Sequence, residues 1–234
     1  MTEHTNKQFD AEMETIRSGV LSMGGIVEQQ LALAIEALEK DDDAARSDAV
    51  GAGELAINRL QMTIDQQCAQ IIAKRQPTAV DLRMVLTVGK IVNDLERAGD
   101  EVKKIAYKAA EARGSDRLAR VRYYDTARAL GHAAAMLRAA LDAFARLDAV
   151  AAADVVGRDA DIDAAFASIL RQLISYMMED PRTITPALEI VFIAKSIERI
   201  GDHAKNIAEA VVQVVKGKDV RHASADEIRA EVAK

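Results

Sequence analysis

Two short segments of this chain place carboxylates at a spacing that can do chemistry. Residues 95–100 read Leu-Glu-Arg-Ala-Gly-Asp, and residues 197–202, an offset of 102, read Ile-Glu-Arg-Ile-Gly-Asp. Each sets a glutamate and an aspartate four apart, Glu96 with Asp100 and Glu198 with Asp202, with a glycine just before the aspartate. On a helix that spacing puts both acids on one face. Like charges at i,i+4 repel by about 0.2–0.5 kcal/mol, and a mid-helix glycine costs about 1 kcal/mol relative to alanine. A bound cation would relieve the repulsion. Asp159 and Asp163 repeat the four-residue spacing, with Asp161 between them turned away, and their equivalents 105 residues earlier are Glu54 and Asn58. If the segments carrying these residues lie side by side, each half gathers four oxygen-bearing side chains across a helix–helix groove. Carboxylate-rich sets without thiols suit hard or borderline cations such as Mg²⁺, Mn²⁺ or Fe.

The elements that must position these acids are long helices. Half of the 234 residues are apolar but only 3% are aromatic, and there are three prolines and no tryptophan. That is the composition of helices packed through small and aliphatic side chains. Breakers divide the chain into predicted helices at about Phe9–Lys40, Ala44–Lys74 and Thr78–Arg113, then to about Leu147, to about Glu179, and from Pro181 and Pro186 to about Lys216 and Gly217. Asp41, Asp42 and Asp43 can cap the second, and Gly114, Ser115 and Asp116 close the third and open the fourth. Ser224 and Glu227 have capping-box spacing for one short helix in the charged tail.

The third and sixth helices carry matching seams: Val88, Ile91, Leu95, Ala98, Val102, Ile105 and Ala109, then Ile193, Ile197, Ile200, Ala204, Ile207, Val211 and Val214. Their alternation of three and four is coiled-coil-like. The second and fifth match at an offset of 105 (Ile57, Leu60, Ile64; Ile162, Ala165, Ile169). The first and fourth match at 106 (Val27, Leu31, Ile35, Leu38; Ala133, Leu137, Leu141, Phe144). The fold class is therefore all-α, two similar three-helix bundles made of six long helices, at 9–114 and 116–217 with a tail at 218–234.

With Leu95 at heptad position a and Ala98 at d, Glu96 falls at b and Asp100 at f, and Glu198 and Asp202 follow suit. These acids are expected to face away from the seam, without burial-shifted pKa values, which argues against acid/base catalysis. Asp100 can pair with Lys103 or Lys104, and Asp202 with Lys205. Gly99 and Gly201 can also serve to let a neighbouring helix approach closely. His203 reads as a solvated histidine or a supplementary ligand, and Met177 and Met178 as packing residues. Cys68, the single cysteine, lies in an apolar stripe and reads as a small core residue; one cysteine excludes an intramolecular disulfide. The net charge of −6 gives no support for a nucleic-acid partner. The N-terminus has no apolar targeting segment and no window approaches ~18 consecutive apolar residues. These features predict a cytoplasmic protein with no direct membrane insertion.

At these residues the chain resembles the PhoU family of phosphate-uptake regulators. The resemblance covers roughly 10–217 and is most specific at the two Glu-Arg-x-Gly-Asp segments, 96–100 and 198–202. Gln76-Pro77, Asp81-Leu82-Arg83, the 200–207 segment and Glu179-Asp180-Pro181-Arg182 support it. It implies a non-enzymatic negative regulator of phosphate uptake and of the phosphate-starvation response. It further implies an adaptor between the ATPase subunit of a phosphate ABC transporter and the PAS region of a phosphate-sensing histidine kinase; exposed small-residue faces would permit a homodimer, which is the expected assembly. Some members bind metal through paired acidic motifs. Carried over, these are Glu96 with Asp100, Glu198 with Asp202 and Asp159 with Asp163, with divalent or trivalent ions (Mg, Mn, Fe or Zn) as candidates. Asn58 departs from the acidic pattern, which makes the N-terminal site the weaker one, and Ala98 replaces the usual isoleucine. A ferritin-like di-metal protein is the alternative, but it requires a Glu-x-x-His on each of two helices, a spacing the helices lack. A purely structural helical module would show an unbroken heptad, which the breakers interrupt.

Overall fold

The computed structural model describes residues 2–39, 44–111 and 117–234. Asp41, Asp42, Asp43, Gly114, Ser115 and Asp116, expected as caps, lie outside them. The described residues form helices α1 (Thr2–Glu39), α2 (Ala44–Arg75), α3 (Ala79–Glu111), α4 (Arg117–Arg146), α5 (Ala149–Gly157), α6 (Asp159–Glu179), α7 (Ile184–Lys216) and α8 (Ala225–Val232), with a 3-10 turn at Pro181–Thr183. There is no strand among them. Chain chemistry marks the ends. Gly217 takes a left-handed φ of 71° past α7, a conformation costly for a residue with a Cβ. Asp180 accepts from the Arg182 backbone N–H to start the 3-10 turn, and Ser224 with Glu227 forms the expected capping box on α8.

The all-α fold is as the periodicity predicts, with one correction. The fifth helix is not continuous: it breaks at Gly157 and Arg158 into α5 and α6, whereas α2, its counterpart, runs unbroken. Arg158 closes α5 by donating its backbone N–H to the carbonyls of Val155 and Val156. The tail helix α8 packs on α5 with Ile228 and Val232 buried, and a Cβ at residue 157 would meet the Arg229 guanidinium there. Asp159 thereby becomes the first residue of α6, where a carboxylate suits the positive end of the helix dipole.

Helices α3 and α7 lie at the centre. α3 packs against α1, α2 and α7, α7 packs against α3, α4, α5 and α6, and α1 also packs on α4. All fourteen seam residues of α3 and α7 are at most 5% exposed. Ile57, Ile64, Ile162 and Ile169 are buried from the flanking helices, as are Val27, Leu31, Leu38, Ala133, Leu137, Leu141 and Phe144 from α1 and α4. Cys68 is a core residue, and burial pushes its thiol up to about 11. Met177 packs against the core, but Met178 is largely exposed, contrary to expectation.

One apolar cluster runs through both halves, and the two are expected to unfold together. Leu95→Ala and Ile197→Ala should each cost about 2–5 kcal/mol. Calorimetry should show one transition in which the van 't Hoff and calorimetric enthalpies agree. Two resolved transitions would show that the halves fold independently.

Candidate metal sites in two acidic grooves

In the first half the groove lies between α2 and α3. Its walls come close because residue 99 has no side chain: a Cβ there would lie 3.0 Å from Ile57 Cδ1. Glu54 and Asn58 come from α2, and Glu96 and Asp100 from α3, all of them half-buried. Lys103 reaches across the groove, its Nζ 2.5 Å from Glu54 Oε2. Burial, followed by the charges of Asp100 and Glu54, raises the Glu96 carboxyl above its ordinary range.

The second half repeats the construction between α6 and α7. A Cβ at Gly201 would lie 3.1 Å from Cγ2 of Ile162, the residue equivalent to Ile57. Asp159 is buried at the base, Glu198 is half-buried, and Asp163 and Asp202 are exposed at the rim. Lys205 Nζ stands 2.7 Å from Asp159 Oδ2, and Lys195 Nζ 2.6 Å from Glu198 Oε1. Desolvation comes first in raising Asp202, followed by Glu198, Asp159 and Asp163; for Asp163 it is followed by Asp159 and Glu198. The four acids of this groove thus feel one another's charge.

Two expectations are corrected here. The acids face away from the seam of their own helix, but a neighbouring helix lies beside them: Glu96, Asp100 and Glu198 are half-buried, only Asp202 of the four is exposed, and Glu96, Asp163 and Asp202 carry raised pKa values. The lysines also choose other partners. Lys103 and Lys205 bind Glu54 and Asp159 across the grooves, and Lys104 binds Glu101 on its own helix. His203 is buried, its Nδ1 2.9 Å from Asp94 Oδ1 on α3, so it faces the other half rather than a groove. Asp94, Ser196 and the buried Glu101, which join α3 to α7, escaped the sequence reading; a polar residue on the edge of an apolar seam is the only signal they give.

The donor set tests favourably for a hard cation. Each groove holds a buried acceptor with no hydrogen-bond partner, Asn58 Oδ1 in the first and Glu198 Oε2 in the second, and unmade bonds to buried oxygens are costly. Every potential ligand is oxygen. Among the described residues no three His, Cys, Asp or Glu side chains already converge as a metal-holding group, so a cation would have to draw the carboxylates inward and displace the lysine ammonium groups.

Two outcomes follow from this geometry. Gly201→Ala should destabilise more than Gly99→Ala in urea melts. At 201 the new methyl meets Ile162 near its branched Cβ, whereas at 99 it meets the movable tip of Ile57, against a helix-propensity gain of about 1 kcal/mol in either case. The second concerns pH. A carboxylate whose folded pKa is raised keeps a proton that the unfolded chain has released, so its stabilising contribution is complete below the unfolded value and is lost as pH rises through the folded one. Asp202→Asn should therefore stabilise the protein at neutral pH by about 0.5 kcal/mol, the scale of a relieved i,i+4 repulsion. The gain should shrink as the pH is lowered through the carboxylate range, measured by thermal melts across pH.

The PhoU domain family model matches residues 20–109 and 126–211. The chain is 43% identical to a phosphate-specific transport system accessory protein PhoU homolog of Pseudomonas aeruginosa, over 99% of this chain and 95% of that one. It is 44% identical to the accessory protein PhoU of Escherichia coli, over 97% of this chain and 93% of that one. The crystal structure of PhoU from Pseudomonas aeruginosa superposes with a TM-score of 0.84 at 43% identity, covering 90% of this chain and all of that one. That of the phosphate transport system regulatory protein PhoU from Streptococcus pneumoniae gives 0.80 at 26% identity over 91% of this chain and 99% of that one. Twin domain matches, 43–44% identity over nearly the full length and the shared helical architecture agree, and the chain belongs to the PhoU family.

Proposed function

We propose that this protein is a non-enzymatic negative regulator of phosphate uptake and of the phosphate-starvation response. It acts as a cytoplasmic adaptor between the ATPase subunit of a phosphate ABC transporter and the PAS region of a phosphate-sensing histidine kinase, as a homodimer. The observation that carries this reading is the match, over nearly the whole chain, to relatives named as accessory proteins of the phosphate-specific transport system. The architecture suits it: a rigid helical body with a continuous core, and no helix long and apolar enough to cross a membrane among the described residues. Deleting the gene should leave a phosphate-starvation reporter active in high phosphate. A reporter still fully repressed would overturn the regulatory reading.

The metal part of the proposal rests on the grooves. Glu96, Asp100 and Glu54 with Asn58 would hold a cation between α2 and α3, and Glu198, Asp202, Asp159 and Asp163 one between α6 and α7. When bound, the cation supplies positive charge that neutralises carboxylates otherwise held in mutual repulsion. The chain's own part is to keep two helices close enough, through Gly99 and Gly201, that the acids of both reach one space. In its absence Lys103, Lys195 and Lys205 hold the carboxylates. Asn58 leaves the first groove one negative charge short of the second, so it binds more weakly. Calorimetric titration with Mn²⁺ should show binding reduced by Glu198→Gln with Asp202→Asn, and strengthened at the first groove by Asn58→Asp. Unchanged stoichiometry and affinity in both variants would defeat the assignment.

A further inference from the structure

The arginines of the two Glu-Arg-x-Gly-Asp segments, Arg97 and Arg199, form no salt bridge with the groove acids, although the charge of Arg97 acts on Glu96. They lie along the seam where α3 and α7 run antiparallel. This direction follows from the contacts: Lys90 Nζ is 2.9 Å from Gln213 Oε1, Asp94 meets His203 and Asn206 at 2.9 and 3.1 Å, Arg199 Nη1 is 3.2 Å from Glu101 Oε1, and Lys108 Nζ is 2.5 Å from Glu189 Oε2. The 102-residue repeat exchanges the two strips, Arg97 for Arg199, Asp94 for Ser196 and Glu101 for His203.

Charge is sorted by depth along this seam. The acids Asp94 and Glu101 sit low, with side chains 14% and 7% exposed, each held by polar partners from the facing helix. Glu209 is likewise buried, whereas Glu189, paired to Lys108, and Asp219, paired to Arg221, stand higher. The cations stand outward: Lys104 is 52% exposed, Arg199 53% and Arg221 61%, and Lys90 and Arg97 are exposed as well. At one end, Lys90, Arg97 and Arg221 with the carboxamides of Asn93, Asn206 and Gln213, above the low-lying Asp94 and Glu209, line a cleft of about 300 Å³. No hydrogen bond or salt bridge joins Arg97 to another described residue, although its charge favours the ionised Glu96 carboxyl, and its planar fork of donors can take a carboxylate. At the other end Phe192 is half-exposed, with Lys108 Nζ 4.9 Å from its ring centroid.

We propose that the α3–α7 seam is a docking strip for an acidic helical segment of a partner protein, its carboxylates seated on Arg97, Arg199 and Lys104. Charge complementarity selects this occupant, since the outward-standing groups of the strip are mainly cations, Lys90, Arg97, Lys104 and Arg199 without an exposed acid beside them, in a chain of net charge −6. Width selects it over a membrane or a nucleic acid. The far side of α3 carries the acidic groove of Glu96 and Asp100, and the far side of α7 that of Glu198 and Asp202, so a broad polyanion laid over the seam would press its phosphates toward those carboxylates. A ligand one helix wide avoids them. From Lys90 to Lys108 the strip runs about 27 Å at 1.5 Å per residue, the length of a helix of about 18 residues.

The test is fluorescence anisotropy at low salt with the full chain and a labelled helical peptide of about 20 residues bearing glutamates along one face. Its glutamine analogue, duplex DNA and phosphatidylglycerol vesicles serve as competitors. The glutamate peptide should bind at least about tenfold more tightly than the glutamine one, and Arg97→Glu with Lys104→Glu should remove that preference, while Glu96→Gln should not weaken binding. Arg97→Ala, which deletes a side chain that no hydrogen bond ties down, gives the same reading if the double reversal lowers the melting temperature. The proposal is overturned by absence of binding, by equal binding of the two peptides, by binding indifferent to Arg97, or by DNA or vesicles displacing the peptide through the same residues. Peptide binding is read on the purified protein and the regulatory role by the reporter strain, so either can fail without the other.

Discussion

The fold depends on the burial of α3 and α7 along one seam each and on their antiparallel contact. Each of these helices must satisfy several neighbours at once. The seam residues, Leu95 and Ile197 at their middle, pack against α1 and α4, and a polar edge of each helix is left against the other. There Glu101, held by Lys104 and Arg199, and His203, held by Asp94, are buried because each finds its partner on the spot. Hydrogen-bonded pairs of this kind add little net stability but are costly to mismatch. They set the register in which the two halves meet, while the continuous apolar cluster supplies the driving force.

The acidic grooves are a consequence of how closely the flanking helices approach. Gly99 and Gly201 give up helix propensity, and what they return is contact: Ile57 and Ile162 fill the space a side chain would take. That contact carries Glu54 and Asn58 to Glu96 and Asp100, and Asp159 and Asp163 to Glu198 and Asp202. The cost appears as raised carboxyl pKa values at Glu96, Asp163 and Asp202 and as unpaired oxygens at Asn58 and Glu198. Structures keep such tension at functional positions more often than elsewhere. The Glu-Arg-x-Gly-Asp segment thus serves three directions from one turn and a half of helix: acids to a groove, glycine to a neighbouring helix, arginine to the seam between the halves.

The second half departs from the first where the chain needs something extra. Breaking α2's counterpart at Gly157 places α5 under the tail helix, and it also moves Asp159 to the start of α6. The two grooves therefore differ in more than the exchange of an aspartate for Asn58. One acid in the second groove sits at a helix N-terminus and is buried to 9% exposure, while its counterpart Glu54 lies inside an uninterrupted helix.

Much of this was legible in the residues alone. Periods of three and four located the long helices, and equal offsets of Leu95 with Ile197 and Ile57 with Ile162 showed the duplication, because apolar periodicity follows directly from helix geometry. The spacing of Glu96 with Asp100 determined that the two acids share a face. The depth of that face was not legible: a heptad register gives an angle around one helix, and positions b and f are solvated only if no third helix lies over them. Here α2 lies over Glu96 and Asp100 and α6 over Glu198, drawn in by the glycines, while Asp202 stays exposed at the rim. For the same reason Lys103 and Lys205 reached across to Glu54 and Asp159 rather than along their own helices, and His203 turned to Asp94, 109 residues away. By itself the sequence determined the helices, their repetition and the spacing of the acids, since these depend on local geometry. Only the tertiary structure decided what each polar group faces, because burial and partnership belong to pairs of helices and not to one.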